Sequence, residues 1–290
     1  MRVFIVNSVA GNGKGRKVWP VLEKKLKEEG EPYEVNFTEY PGHATELASR
    51  ASRREDVRVV VGVGGDGTVH EVAAGLVGTR VPLGYIPAGS GNDFARAQKI
   101  PSDPLAALDR IVRQEPSIVD TARINEERMV STAGIGFDGS VARAVNRSPL
   151  KKWLKGFTYV LELVRLLFTY QPRNVTMILD NQIHTFQDVW LIAVANIPFY
   201  GGGMKICPQA SNRDGILDLC VVRGISRWEL LVVFPKVFRG THVHHPAVSM
   251  MKGSHLEIRS DFPMVIHADG EIIGETPVRI EIQPESLHTV

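Results

Sequence analysis

Cysteine is nearly absent from this sequence. Cys207 and Cys220 are the only two in 290 residues, too few for a disulfide framework or a four-ligand zinc site and in keeping with a reducing cytosol. No run of 18 apolar residues occurs, so no segment reads as a membrane span. The opening MRVFIVN is too short an apolar run for a signal peptide. Neither sign of charge is in excess. With a formal net charge of +2 and 23% charged residues, the chain lacks the basic face of a nucleic-acid binder. Repeats and low-complexity tracts are missing too. A cytoplasmic globular protein is what these absences leave, 43% hydrophobic and long enough for one large or two ordinary domains with an apolar core.

The rhythm of the chain changes near residue 122. Before it, β-branched runs (Arg2–Val6, Tyr33–Thr38, Val57–Val63, Pro82–Ile86) alternate with helical patterns (Arg16–Glu29, Ala44–Arg54, Val69–Val77, Pro104–Glu115). Such alternation predicts βαβ units around a mostly parallel, doubly wound α/β sheet over 1–122. After it, strand-like runs at Asn174–Asp180, Gln182–Thr185, Val189–Ala195, Leu217–Val222, His255–Arg259 and Val278–Ile282 predict an antiparallel β domain over 123–290. One long helix interrupts this half. Leu150, Trp153, Leu154, Phe157, Val160, Leu161, Val164, Leu167 and Phe168 form a single apolar stripe, which suits a helix packed on the sheet or a surface that touches lipid.

Chemistry concentrates at VVVGVGGDGTVHE (Val59–Glu71). A strand runs into a glycine cluster and then into a helix start, the context in which backbone N–H groups cradle phosphate. Gly62–Gly67 satisfies G-x-G-x-x-G, yet it follows the third strand and no acidic residue ends the next strand, which disfavours a dinucleotide site. Gly11-Asn12-Gly13-Lys14-Gly15 lacks the spacing of a P-loop. Asp66, in the middle of the cradle, would repel a polyphosphate unless a divalent cation stood between them, because Mg²⁺ is usually held by one or two carboxylates plus phosphate oxygens. PAGSGNDFAR (Pro87–Arg96) repeats the design one strand later. Gly89 and Gly91 allow close approach, Ser90 and Asn92 offer polar groups, and Asp93 adds a carboxylate on the sheet edge where open α/β folds bind ligands.

GGDGT at Gly64–Thr68, PAGSGNDFAR at Pro87–Arg96 and ADGE at Ala268–Glu271 together resemble the diacylglycerol kinase catalytic-domain family. The likeness is to soluble bacterial lipid kinases of the diacylglycerol kinase B type and, more distantly, to sphingosine kinases, and it covers nearly the whole chain. It implies an α/β nucleotide domain followed by a β-sandwich, with ATP and Mg²⁺ in the cleft between them and a lipid hydroxyl as acceptor. The implied nucleotide contacts fall on Asn7, Gly11, Thr38, Gly64, Gly65, Asp66, Gly67, Thr68, Val69, His70, Glu71, Gly89, Ser90 and Asn92. Asp66 and Asp93 are the implied ligands of the catalytic cation. A structural Mg²⁺ site matches SNRDGILD, with the Asp214 side chain and the Ser211 and Ile216 carbonyls. Two departures stand out: NSVAG replaces the usual NPxSG or NPxAG, and Ser90 replaces the commoner Thr. Both keep small size or the hydroxyl, which implies modest effects on nucleotide affinity.

ADGE has two readings. Asp-Gly between MVIHA and EIIGE is a strong hairpin signal in its own right; within the resemblance, Asp269 and Glu271 become candidates for the base that deprotonates the lipid hydroxyl, with Asp66 next. The His242, His244 and His245 group reads as surface, and Asp218 as solvent-facing on a strand. Diacylglycerol is the expected acceptor. Phosphatidylglycerol, a sphingoid base, an NAD-kinase-like reaction, or nucleotide binding without transfer are the alternatives. Peripheral membrane contact is expected and nucleic acid is not; the oligomeric state is left open, a homodimer included. The chain ends soon after VRIEIQPESLHTV, which predicts that any strand returning to the first domain is short.

Overall fold

A computed structural model describes residues 1–147 and 164–290. In its first half, β1 (Arg2–Val6), β2 (Tyr33–Phe37), β3 (Val59–Gly64) and β4 (Leu83–Pro87) pair in parallel in the order β2-β1-β3-β4. Successive strand residues point to opposite faces, and both faces are covered. Val3, Ile5 and Val60 pack in one core with Leu47 of α2 (His43–Ser52) and Val72 of α3 (Asp66–Leu76). Phe4, Val6 and Val61 pack in another with Leu22 of α1 (Ala10–Glu28) and Leu108 of α5 (Pro104–Arg113). That two-sided burial is why these strands read as unbroken apolar runs. The short α4 (Asp93–Ala97) follows β4.

The second half contains β5 (Ser117–Ile124), β6 (Glu127–Met129), β7 (Thr132–Gly136), α6 (Phe137–Arg147), the helical residues 164–169 (α7), β8 (Arg173–Leu179), β9 (Gln182–Ala195) and β10 (Leu217–Arg223). It continues through α8 (Arg227–Val233), β11 (Val248–Gly253), β12 (His255–Ser260), β13 (Val265–Ala268), β14 (Glu271–Glu275) and β15 (Val278–Thr289). Every strand pair within this half is antiparallel. β9 is central: Val189, Ile192 and Val194 enter the core between the sheet layers, whereas Trp190, Leu191 and Ala193 enter a second core under α6 and α8. The result is a doubly wound α/β domain followed by a β-sandwich-like domain, in one mixed sheet.

Several sequence expectations change in detail. Gln182–Thr185 and Val189–Ala195 are one strand, because an irregularity in the β8–β9 pairing carries β9 through the polar residues between them. The terminal strand is long, at 12 residues, since its length is spent pairing with β5 and β12. Its contact with residues 1–122 is extensive rather than short: Leu287, His288 and Thr289 pair with Val119, Ile118 and Ser117, the Gly78 N–H donates to the Ser286 carbonyl at 2.8 Å, and the Val290 N–H donates to the Leu83 carbonyl at 3.0 Å. Most of the long apolar helix expected from Leu150 lies outside the described residues; in its last turns Leu167 is buried while Val164 and Phe168 are exposed. His242 is core rather than surface, hydrogen-bonded to the Ile206 carbonyl at 3.0 Å with Cys220 Sγ 4.0 Å away. Burial lowers its pKa. Both cysteines are free and buried.

Candidate active site

Three glycine loops converge at the C-terminal ends of β1, β3 and β4. Gly11, Asn12 and Gly13 all have positive φ (56°, 60° and 87°) and form a left-handed turn at the head of α1, which is why the sequence pattern of that helix begins only at Arg16. A Cβ on Gly11 would collide with the Ala88 carbonyl, and one on Gly89 with the Gly65 backbone. These loops are glycine-rich because they touch one another. Asn7 Nδ2 donates to Thr68 Oγ1 at 3.1 Å, and Asn92 Oδ1 accepts from the Gly89 N–H at 2.9 Å. The first contact pins the β1 loop to α3, and the second closes the β4 loop on itself.

Asp66 opens α3 and Asp93 opens α4, and the two carboxylates flank Gly91. A Cβ on Gly91 would lie 2.8 Å from Asp66 Oδ2 and 3.6 Å from Asp93 Oδ2. Burial and then the neighbouring Asp93 charge push the pKa of Asp66 up. Burial also raises that of Asp93, against the N–H of Gly202 and the Arg96 guanidinium. Asp66 Oδ1 accepts from the Phe94 N–H at 3.2 Å. Asp93 Oδ1 accepts from Arg96 at 2.5 Å and Oδ2 from the Gly202 N–H at 2.6 Å. A half-buried and a buried carboxylate, repelling one another beside phosphate-type loops, make a hard-oxygen donor set that suits Mg²⁺. Backbone N–H groups at the start of α4 also face the Asp66 carboxylate, and both oxygens of Asp93 are engaged by protein. Among the described residues, no three His, Cys, Asp or Glu side chains form a ready-made metal cluster.

The opposite wall comes from the second domain. Asp269 and Gly270 form the two-residue turn of the β13–β14 hairpin, both with positive φ (49° and 91°), as a type I′ turn requires. Yet the Asp269 side chain does far more than turn the chain. Its Oδ1 accepts from the N–H groups of Ser131 (2.8 Å) and Thr132 (3.0 Å), and its Oδ2 from Val130 N–H (2.7 Å) and His70 Nδ1 (2.7 Å). Burial alone would raise its pKa, but the His70 charge and these donors outweigh burial and hold it low. The same pairing raises His70 against the effect of its own burial. Since His70 lies on α3 one turn after Asp66, this pair ties α3 to the second half of the chain. Glu271, next on the hairpin, is exposed.

Between these walls lies a cleft of about 250 Å³ lined by Asp66, Asp93, Asp269 and Gly270, together with Asp138, His267, Tyr200, Met204 and Gly202. The last five escaped the sequence reading. Asp138 had a usable signal, since GIGFDG runs from a strand through glycine into a helix like the other acidic loops. His267 Nε2 sits 3.4 Å from Asp138 Oδ2, and its ring lies nearly parallel to Tyr200 (5° between planes, centroids 6.3 Å apart). Asp138, Tyr200 and Met204 also line a mainly apolar cavity of about 60 Å³, which runs on to Leu230, Phe234 and Val237. A polar chamber thus adjoins an apolar one.

Other predicted positions lie elsewhere. The Val69 side chain is in the core, and Thr68 is buried with its hydroxyl taken by Asn7 of the β1 loop. Glu71 Oε2 accepts from the Ala44 N–H at 3.1 Å and its carbonyl from Thr45 Oγ1 at 2.9 Å, joining α3 to α2. Thr38 follows β2, its N–H bonded to the Val6 carbonyl at 3.0 Å, and Ser90 is exposed. In SNRDGILD, Asp214 Oδ1 accepts from the Ile216 N–H at 3.3 Å. Asp120 fastens the same turn by accepting from the N–H groups of Gly215 and Glu285, both at 2.8 Å. Asp218 is buried rather than solvent-facing: Oδ1 meets Lys252 Nζ at 3.3 Å, and Oδ2 is buried without a hydrogen-bond partner. Its strand alternation faces it inward against the turn, where the Asp214 charge adds to burial in raising its pKa.

Comparison with known proteins agrees with this geometry. Residues 2–124 match the model of the diacylglycerol kinase catalytic domain, and residues 131–290 match the YegS C-terminal NAD kinase beta sandwich-like domain. A diacylglycerol kinase of Mycobacterium tuberculosis (strain ATCC 25618 / H37Rv) is 31% identical over 297 residues, covering 99% of this chain and 93% of its own. One from Bacillus subtilis (strain 168) is 30% identical over 291 residues, covering 99% and 95%. Two crystal structures from Bacillus anthracis str. Sterne share the fold, with TM-scores of 0.81 and 0.74 at 23% and 21% identity; each covers 100% of this chain and 96% of its own, and the second is named a diacylglycerol kinase. Fold, cleft and relatives define a lipid kinase. The chain belongs to the diacylglycerol kinase family, in the group whose catalytic domain is joined to a YegS-type C-terminal domain.

Proposed function

We propose that the protein transfers the γ-phosphoryl group of Mg-ATP to the hydroxyl of diacylglycerol, giving phosphatidic acid and ADP. One observation carries this reading: a cleft with glycine loops and two carboxylates on one side opens beside an apolar cavity on the other, so that a phosphate donor and a lipid alcohol can meet at one point. The nucleotide side is assigned to residues 1–122 and the lipid side to 123–290. Backbone donors of the loops at Gly11, Gly64–Gly67 and Gly89–Asn92 would hold the triphosphate, with Thr38, His70 and Ser90 at its margins. Asp66 and Asp93 beside it would hold Mg²⁺, which supplies charge neutralisation on the phosphate oxygens when bound.

The remaining work is positioning and one proton transfer. As the lipid oxygen bonds to the γ-phosphorus and the bond to ADP breaks, the hydroxyl proton must leave to a carboxylate. Asp269 is a poor acceptor, because its oxygens already take four N–H groups and its pKa is held low. Its part is to position the hairpin and His70. Glu271, exposed two residues on, keeps its oxygens open and is the base in this reading. A second cation is assigned to the SNRDGILD turn, through the Asp214 side chain and the Ser211 and Ile216 carbonyls, where the unpartnered Asp218 oxygen supplies nearby negative charge. The enzyme would work in the cytoplasm against the membrane that holds its substrate. Radiolabelled ATP offered with diacylglycerol, phosphatidylglycerol, a sphingoid base and NAD, with and without Mg²⁺, tests the whole reading. Labelled phosphatidic acid that requires Mg²⁺ is the expected product. Labelling of NAD alone, or of a different lipid in preference, would overturn the substrate assignment.

A further inference from the structure

We infer that α8 and the 3₁₀ turn after it (Phe234–Arg239) form a docking face for an anionic lipid bilayer. This inference rests on the lipid-kinase reading and adds to it the surface by which the enzyme meets its substrate's membrane. Trp228 is 70% exposed, Val232 67% and Phe238 53%. Single exposed apolar residues are ordinary; these are contiguous. Trp228 and Val232 stand one turn apart on the outer face of α8. The Phe168 ring at the end of α7 packs edge-on against Trp228 at 5.7 Å, and Phe234 against Phe238 at 6.2 Å. Arg227 joins the elements into one surface, its Nε donating to the Leu167 carbonyl at 3.0 Å and a terminal nitrogen to the Tyr170 carbonyl at 3.3 Å.

Charge decides the occupant. Lys236 and Arg239 flank Phe238 and are exposed, and Arg165 is exposed one turn before Phe168. The acid on α8, Glu229, is drawn away by capping Ser226 and by His245 Nε2 at 3.2 Å. Aromatic and aliphatic tips rimmed by Lys and Arg suit the boundary between anionic headgroups and acyl chains. Position agrees with charge. The same segment that shows Trp228, Val232 and Phe238 to the outside lines the apolar cavity from within, through Leu230, Val233, Phe234 and Val237. That cavity shares Asp138, Tyr200 and Met204 with the candidate active site, so a lipid leaving the bilayer at this face would have a short apolar route to the reacting carboxylates.

The test is co-sedimentation of the full-length protein, without nucleotide, with vesicles of phosphatidylcholine alone or of equal parts phosphatidylcholine and phosphatidylglycerol. The wild type should sediment with the anionic vesicles, and less so as salt rises. A Trp228→Ala/Phe238→Ala variant should partition about tenfold or more weakly, given the area such rings withdraw from water. Lys236→Glu/Arg239→Glu should lose about fivefold or more per charge on anionic vesicles and nothing on phosphatidylcholine. All variants should melt like wild type and keep its turnover on a short-chain diacylglycerol dispersed as monomers. Wild-type protein left in the supernatant with both vesicles would overturn the inference, as would variants that sediment like wild type. So would a dimer in sedimentation velocity that the aromatic variant dissociates in the absence of any vesicle binding. Because sedimentation involves no catalysis, a protein that binds vesicles through this face but labels no lipid would count against the kinase substrate and not against the face.

Discussion

Replacing Asp269 by asparagine separates three roles that one carboxylate could play. As a turn residue it would be indifferent to the change, since Asn-Gly serves a type I′ turn as well as Asp-Gly. As a base it would lose rate but not stability. The hydrogen bonds demand a third outcome. Oδ1 serves Ser131 and Thr132, and Oδ2 serves Val130 and His70, whereas an amide has one oxygen. Turned one way its NH₂ faces the Ser131 and Thr132 N–H groups; turned the other it faces the Val130 N–H and a His70 ring that must give up its proton, in a site where the side chain is 2% exposed. Each hydrogen bond to a charged acceptor is worth about 1.5–3 kcal/mol, and the ion pair with His70 is lost in either orientation, so the change should cost about 3–5 kcal/mol, the range seen when a buried ion pair is broken. In a chain of this length that lowers the melting temperature by roughly 10 °C. Differential scanning fluorimetry without nucleotide measures it. A variant melting within about a degree of wild type would refute the anchoring role.

The pH dependence of the same pair has a definite sign. His70 holds its proton more tightly folded than at its ordinary value of 6.5, so its contribution is complete below that pH and fades as pH rises through the raised folded value. Asp269 is more acidic folded than its ordinary 3.8, so its contribution is complete above that pH and fades as pH falls through the folded value. The stability gap between wild type and His70→Ala should therefore be widest between about 3.8 and 6.5 and narrow on the alkaline side. A gap that widened from pH 7 to 9 would contradict the pairing.

Other outcomes follow from the cleft. Asp66→Asn should abolish most turnover while leaving the melting temperature unchanged or slightly higher, because it removes one of two neighbouring like charges; a large destabilisation measured by fluorimetry would show that Asp66 is structural. Gly91→Ala should block activity with little loss of stability, since the new methyl would press on Asp66 Oδ2, and wild-type turnover would show that nothing needs that space. If SNRDGILD holds a cation, Mg²⁺ should raise the wild-type melting midpoint by mass action and Asp214→Ala should remove the increment; identical midpoints with Mg²⁺ and with EDTA leave only a turn. Glu271→Gln should cut lipid phosphorylation by about 10²–10⁴ with Mg-ATP binding intact by calorimetry, and full activity would return the search for the base to Asp66.

What could be read from residues alone depended on whether the signal was local. The four parallel strands were legible because both faces of each are buried, leaving the run Val59–Val63 with no polar residue, and the acidic glycine loops were legible because backbone contact with phosphate, or with another loop, excludes side chains. The antiparallel half was less so. β7 (TAGIG) and β13 (VIHA) are too short and too bland to stand out, yet they carry Thr132, His267 and Asp269 into the cleft; their place is fixed by pairing with each other and by β7 with β9, contacts separated by up to about 135 residues of chain. Asp269 shows the limit most clearly. Its sequence context, Ala-Asp-Gly-Glu, encodes a turn correctly and a chemistry only by likeness, while its partners lie far away along the chain, the consecutive Val130, Ser131 and Thr132 leading into β7 and His70 on α3. No spacing rule could have found them, because a carboxylate recruits donors in space and not along the chain. The solvent-facing reading of Asp218 fails for the same reason: both faces of β10 are covered, and only the fold brings Lys252 of β11 beside the carboxylate. The candidate active site therefore depends on contacts between the two halves of the chain, and the residue that most directly makes them is the one whose sequence looks most like an ordinary hairpin.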